Sequence, residues 1–198
     1  LPNKLHYFEI TSNHLNQLLD NLPQSLHTLH INSLNNYEIN NLPSKLHSLI
    51  IYNLWFGHSV DNLPLHLHTL EINGFTFNQP INNLPPNLRS LKIHGDGFNQ
   101  SLNQLPDTLE SLDINSMHFD YPTDQLPYNL KSFKFDSDKK TYQELKNLPL
   151  SLEHIKTNKI LTQKFEKLIG ISICDTQLLT NNFSNSLRTL EISNFPFN

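Results

Sequence analysis

Cysteine is almost missing from this sequence: Cys174 stands alone, so no disulfide can form within the chain. A lone thiol suits a reducing compartment, and the expected location is the cytoplasm. Glycine is scarce, with five in 198 residues, too few to build a glycine-rich phosphate cradle. Charged residues make up 16% of the chain, the net charge is −4 and the pI is about 6.2. That balance argues against the basic stripe of a nucleic-acid binder and against a polybasic membrane surface. No apolar run approaches the roughly 18 residues needed to cross a bilayer. Catalytic constellations are missing too: there is no nucleophile elbow, no phosphate loop, no paired carboxylates and no His-x-x-x-His helix. Cys174 sits beside Asp175 with no histidine close in sequence, which reads as structural, since reactivity needs an electropositive setting. The expectation is a protein that is not an enzyme and holds no cofactor or metal. The sequence opens at Leu1 inside a repeat, so it is expected to be part of a longer chain.

What the chain has in quantity is repetition. Leu-Pro recurs at Leu1, Leu22, Leu42, Leu63, Leu84, Leu105, Leu126 and Leu148, in steps of 20, 21 or 22 residues. Each leads into Leu-x-x-Leu-x-Ile, as in Leu26-His27-Thr28-Leu29-His30-Ile31 and Leu88-Arg89-Ser90-Leu91-Lys92-Ile93. The last Leu and the Ile are two apart, the period of a strand, so both point to one face. Aromatics follow at Phe56, Phe77, Phe98 and Phe119, and aliphatics at Val60, Ile81 and Leu102. No unit can bury its own apolar side chains, but stacked units can bury one another's. A unit near 21 residues is too short for strand, helix and two turns. The fold expected is therefore mainly β: a leucine-rich-repeat-type solenoid with one parallel sheet, about ten rungs of about 21 residues and little helix. Residues 1–198 form a single domain in this reading, irregular at 157–182. Segment 159–170 reads as a short helix or a contracted rung, and 136–142 as a surface loop.

The stretch from Phe77 to Ile93, Phe-Asn-Gln-Pro-Ile-Asn-Asn-Leu-Pro-Pro-Asn-Leu-Arg-Ser-Leu-Lys-Ile, resembles an FNIP repeat, and so does Phe98-Asn99-Gln100-Ser101-Leu102 through Leu109. In looser form the pattern covers Leu1 to about Ile155 and returns at 183–198. It departs at Asn35-Asn36-Tyr37, at Trp55-Phe56-Gly57 and across 157–182. The resemblance implies a protein of social amoebae or of their giant viruses, in which case the cytoplasm is the host's. Some family members carry an F-box before the repeats, which implies the substrate-recognition arm of a ubiquitin ligase. No F-box is present in these residues.

The function expected is a protein–protein interaction scaffold; the alternative is a structural repeat protein that self-associates edge to edge through uncapped ends. Binding residues are sought between the buried Leu and Ile of each strand, on the concave face if the strands line it. His30, Ile50, Glu71, Lys92, Asp113 and Lys134 belong to that column, with Glu9, Lys156, Ser172 and Glu191 beyond. Its charges alternate in sign from Glu71 to Lys134, which fixes register or forms a recognition stripe. Tyr52, next to Ile50, is the other candidate contact, because exposed aromatic groups are enriched at binding hot spots. A second column, His6, His27, His47, His68 and Arg89, reads as a solvated imidazole ladder: a line of ligands does not converge on a metal.

Overall fold

The computed structural model describes residues 1–12, 19, 21–137, 144–161, 165–173 and 186–192. Seven strands keep the repeat's phase: β1 (Tyr7–Thr11), β2 (Thr28–Asn32), β3 (Ser48–Tyr52), β4 (Thr69–Asn73), β5 (Ser90–His94), β6 (Ser111–Asn115) and β7 (Ser132–Asp136). After them come β8 (Glu144–Leu145), β9 (His154–Thr157), β10 (Ile160–Leu161), β11 (Gly170–Ile173) and β12 (Thr189–Ile192). Ten of these form one parallel sheet in the order β1-β2-β3-β4-β5-β6-β7-β9-β11-β12, while β8 and β10 pair separately. This is the β-solenoid that the spacing predicts.

Register follows from that spacing. Leu29, Leu49, Leu70, Leu91 and Leu112 are Cα partners in sequence, and so are Ile31, Ile51, Ile72, Ile93 and Ile114. All ten are fully buried, as are Leu26, Leu46, Leu67, Leu88 and Leu109 before them. The aromatics add a third kind of column. Phe56, Phe77, Phe98 and Phe119 stack with ring centroids 5.7, 5.9 and 6.0 Å apart, and Tyr37 joins the Phe56 end at 6.2 Å. Such offset aromatic contacts add roughly 0.5–1.5 kcal/mol each beyond the area they bury.

Proline opens the turn into each strand. The Pro23 carbonyl accepts the Leu26 amide at 3.0 Å, and Pro43–Leu46, Pro64–Leu67, Pro85–Leu88 and Pro106–Leu109 repeat the bond. Proline has no N–H to lose there, and its fixed φ suits the turn. The two odd rungs are accommodated just before Leu-Pro. Where the step shortens to 20, Asn41 takes φ 59°; where it lengthens to 22, Asn147 takes φ 54°. Asparagine tolerates this left-handed conformation better than most residues. At the far end of the strand the rungs come closest at Gly95, where a Cβ would collide with the backbone of Gly74.

Segment 159–170 is a contracted rung rather than a helix where it is described. Its Ile160–Leu161 pairs with Glu144–Leu145, and Leu168 and Ile171 return to the core. Thr157 occupies the position of an aliphatic, buried, and its hydroxyl accepts the Lys159 amide at 3.0 Å. Cys174 and most of 136–142 lie outside the described residues.

Candidate functional site

Strand alternation turns one side of the sheet into a polar face. The middle column reads Glu9, His30, Ile50, Glu71, Lys92, Asp113, Lys134, Lys156, Ser172 and Glu191, in continuous register. From His30 to Asp113 these side chains are half-buried, and Lys134 and Lys156 are exposed. They are tied together. One oxygen of Glu71, Oε1, accepts from Lys92 Nζ at 2.8 Å, Asn73 Nδ2 at 2.7 Å and Tyr52 OH at 3.2 Å. Asp113 faces His94 at 2.8 Å and Lys134 at 3.7 Å. At the other end Tyr7 OH donates to Glu9 at 2.6 Å and lies 3.2 Å from His30 Nδ1. Burial alone would raise the Glu71 and Asp113 carboxyl pKa values, but hydrogen bonds and neighbouring cations outweigh it and hold both below their ordinary values. The same Glu71 bond raises Lys92. Partial burial, with the Glu71 charge second, raises Tyr52.

Ile50 interrupts the charges and Tyr52 projects beside it. From there an apolar rim runs round the end of the strands. Leu34, Tyr52, Leu54, Trp55 and Phe75 each expose between 46% and 56% of their surface. Leu34, Leu54 and Phe75 occupy equivalent places in successive rungs, two residues past each strand. The Thr76 amide donates to the Leu54 carbonyl at 3.1 Å, locking two of those turns together. Sequence reasoning singled out Ile50 and Tyr52 but missed Leu34, Leu54 and Phe75. Their 20- and 21-residue spacing was a usable signal. Phe56, next to Trp55, is fully buried in the aromatic column.

The histidine column stacks at the start of the strands. Ring centroids of His6, His27, His47 and His68 are 4.9, 5.2 and 5.1 Å apart in turn. The Nδ1 atoms of His6 and His27 are 2.9 Å apart, so one must donate and the other accept. Burial lowers the His68 pKa, and His47, Arg89 and His66 lower it further. Among the described residues no group of three or more His, Cys, Asp or Glu side chains gathers as a metal site. No helix among them is long and apolar enough to cross a membrane.

On the opposite flank a second side-chain ladder joins the rungs. Asn78 Oδ1 accepts the Asn99 amide at 2.9 Å, and Asn99 Oδ1 accepts the Asp120 amide at 2.9 Å. Each asparagine follows a stacked phenylalanine, Phe77 or Phe98, so the Phe-Asn pair supplies both a core ring and an inter-rung bond. The FNIP Repeat family model matches residues 77–116. This stretch is FNIP repeat. A similar bond lies outside the matched residues: Asn36 Oδ1 accepts the Gly57 amide at 3.1 Å, although the order there is Asn-Tyr. Among solved structures the chain is similar to CroV588, a circular LRR protein of a giant virus, with a TM-score of 0.66 and 26% identity. That match covers 98% of this chain and 34% of CroV588, so the chain spans about a third of that protein's length. No curated protein matches the chain.

Proposed function

We propose that this FNIP solenoid is a protein-interaction scaffold whose partner lies across the polar sheet face and anchors on the apolar rim. The observation that carries the reading is the rim itself. Five large apolar or aromatic side chains stay about half-exposed on adjoining rungs, beside an ion-paired stripe that is already held in place. Aromatic anchors flanked by polar groups are the usual composition of a binding hot spot. Photocrosslinking from a probe residue at Asn32 should capture a partner with the wild-type chain and lose it with Trp55→Ser/Phe75→Ser. Equal capture by both would end the reading. The finer role, a recognition arm of an F-box ubiquitin ligase in the host cytoplasm, rests on the family resemblance. Co-purification of a Skp1-like adaptor with the full-length protein tests it.

A second reading, self-association edge to edge, is favoured by Leu190. It continues the column of Leu29 to Ile171 yet exposes 45% of its surface. Pairing β12 with β1 of another copy would extend the apolar columns, and the solved relative is described as circular. Light scattering decides: a chain that stays monomeric at high concentration excludes it.

A further inference from the structure

The middle column of the sheet face compensates its charges rung by rung, with one break. Glu71 is in register with Lys92, Lys92 with Asp113, and Asp113 with Lys134. Lys134 is then in register with Lys156, and Ser172 follows, so no acid stands next to Lys156 in the column. Two ammonium groups thus share neighbouring strands about 4.8 Å apart, an arrangement that destabilises a sheet. Lys134 has one long ion pair, and Lys156 has none among the described residues. Lys134 stands 3.7 Å from Asp113, whose other oxygen is already held by His94 at 2.8 Å. Among the described residues no carboxylate pairs with Lys156.

Two hollows meet at this break. One, of about 340 Å³, is lined by Lys92, His94, Asp113, Lys134, Lys156 and Asn158; the other, of about 220 Å³, by Lys134, His154, Lys156 and Ser172, with Glu191 at its far side, one strand beyond Ser172. We propose that Lys134 and Lys156 clamp a carboxylate, an Asp or Glu side chain on the docking segment of a partner protein. The proposal rests on the scaffold reading and gives that partner a chemistry: an acidic residue placed several rungs from the apolar anchor. A carboxylate between the two ammonium groups would turn a repulsive step into a bridged one and continue the alternation of the column. A phosphate suits the place less. Asp113 and Asp136 also line the larger hollow, Asp136 with an interaction of its own, and they would repel a second negative charge.

The test needs no identified partner. The lysines of the chain are dimethylated with ¹³C, which keeps their charge, and N-acetyl-Glu-Glu-amide is titrated in at low salt. The Lys134 and Lys156 resonances should shift and saturate together, while Lys4, Lys45 and Lys131 stay still. Lys156→Met should weaken binding about fivefold, the upper end of what one exposed ion pair contributes. Lys156→Glu should abolish binding and raise the melting temperature, because it completes the alternation. Uniform shifts at all lysines, unchanged binding in Lys156→Met, or inorganic phosphate binding the pair as well as the peptide would each overturn the clamp. Those results leave the rim reading standing. Conversely, a partner still captured by Trp55→Ser/Phe75→Ser would sink the rim without touching these titrations.

Discussion

Asn99 has a bonding role at both ends: its backbone amide donates to Asn78 and its side chain receives the amide of Asp120. Asn99→Ala removes the acceptor of the Asp120 amide bond and should cost about 1 kcal/mol, whereas Asn99→Asp keeps the acceptor and should cost less. Matching melting curves for the two variants would show that the bond contributes nothing. His68 supplies a prediction in pH. Its folded-state pKa is depressed by burial and by the nearby His47, Arg89 and His66, so protonation favours the unfolded chain. Stability should therefore be full above the ordinary histidine value of about 6.5 and fall as the pH drops below it. His68→Gln should remove part of that decline between about pH 7.5 and 5.5, and an unchanged slope of melting temperature against pH would show that His68 plays no part in it. Residue roles of this kind were only half legible beforehand. The stacking of the histidines follows from spacing, but the asparagine bond depends on a backbone amide that no spacing reveals.

Strands were the most legible elements. Leu-x-x-Leu-x-Ile placed β2 to β6, because period two and a buried aliphatic pair leave no other element that fits. The contracted rung near Ile160 was not separable from a short helix, since Leu161, Phe165 and Leu168 fall at helical spacing while adjacent Ile160-Leu161 and Leu168-Ile169 suit buried strands. Strand-to-strand coupling is where the charge network can be tested. Glu71 gathers three donors on one oxygen, and its bond to Lys92 runs between β4 and β5. A double-mutant cycle of Glu71→Gln and Lys92→Met should give a coupling of up to about 1 kcal/mol, the range of partly exposed pairs. The Glu71 and Asp113 carboxyl pKa values are held down in the folded state. Their contribution is present above the ordinary carboxylate range and is lost as pH falls through the lowered folded values. Glu71→Gln should accordingly flatten the stability profile below about pH 4.5, and an unaltered acid limb would show that the network is decorative.

Across the whole molecule the rungs depend on one another, because Leu91 sits between Leu70 and Leu112 and nowhere touches solvent. Leu91→Ala should cost about 2–5 kcal/mol. Hydrogen exchange should accelerate most in β4, β5 and β6; an even loss across the sheet would argue against nearest-neighbour coupling. The overall architecture could be derived from a repeated step of 21 because only stacking buries columns that recur at that interval. The apolar rim could not be derived so easily, since Leu34, Leu54 and Phe75 lie in turns, where exposure is set by the path of the chain and not by an alternating pattern. One feature of that path reaches further. Asn41 and Asn147 let a rung run one residue short or long while every strand keeps its partner. The rear of the molecule can thus gain and lose residues over generations without moving a single letter on the front. Mutation is free to edit length on one side and meaning on the other, and a whole extra unit spliced in behind Pro85 would widen the reading surface by one line.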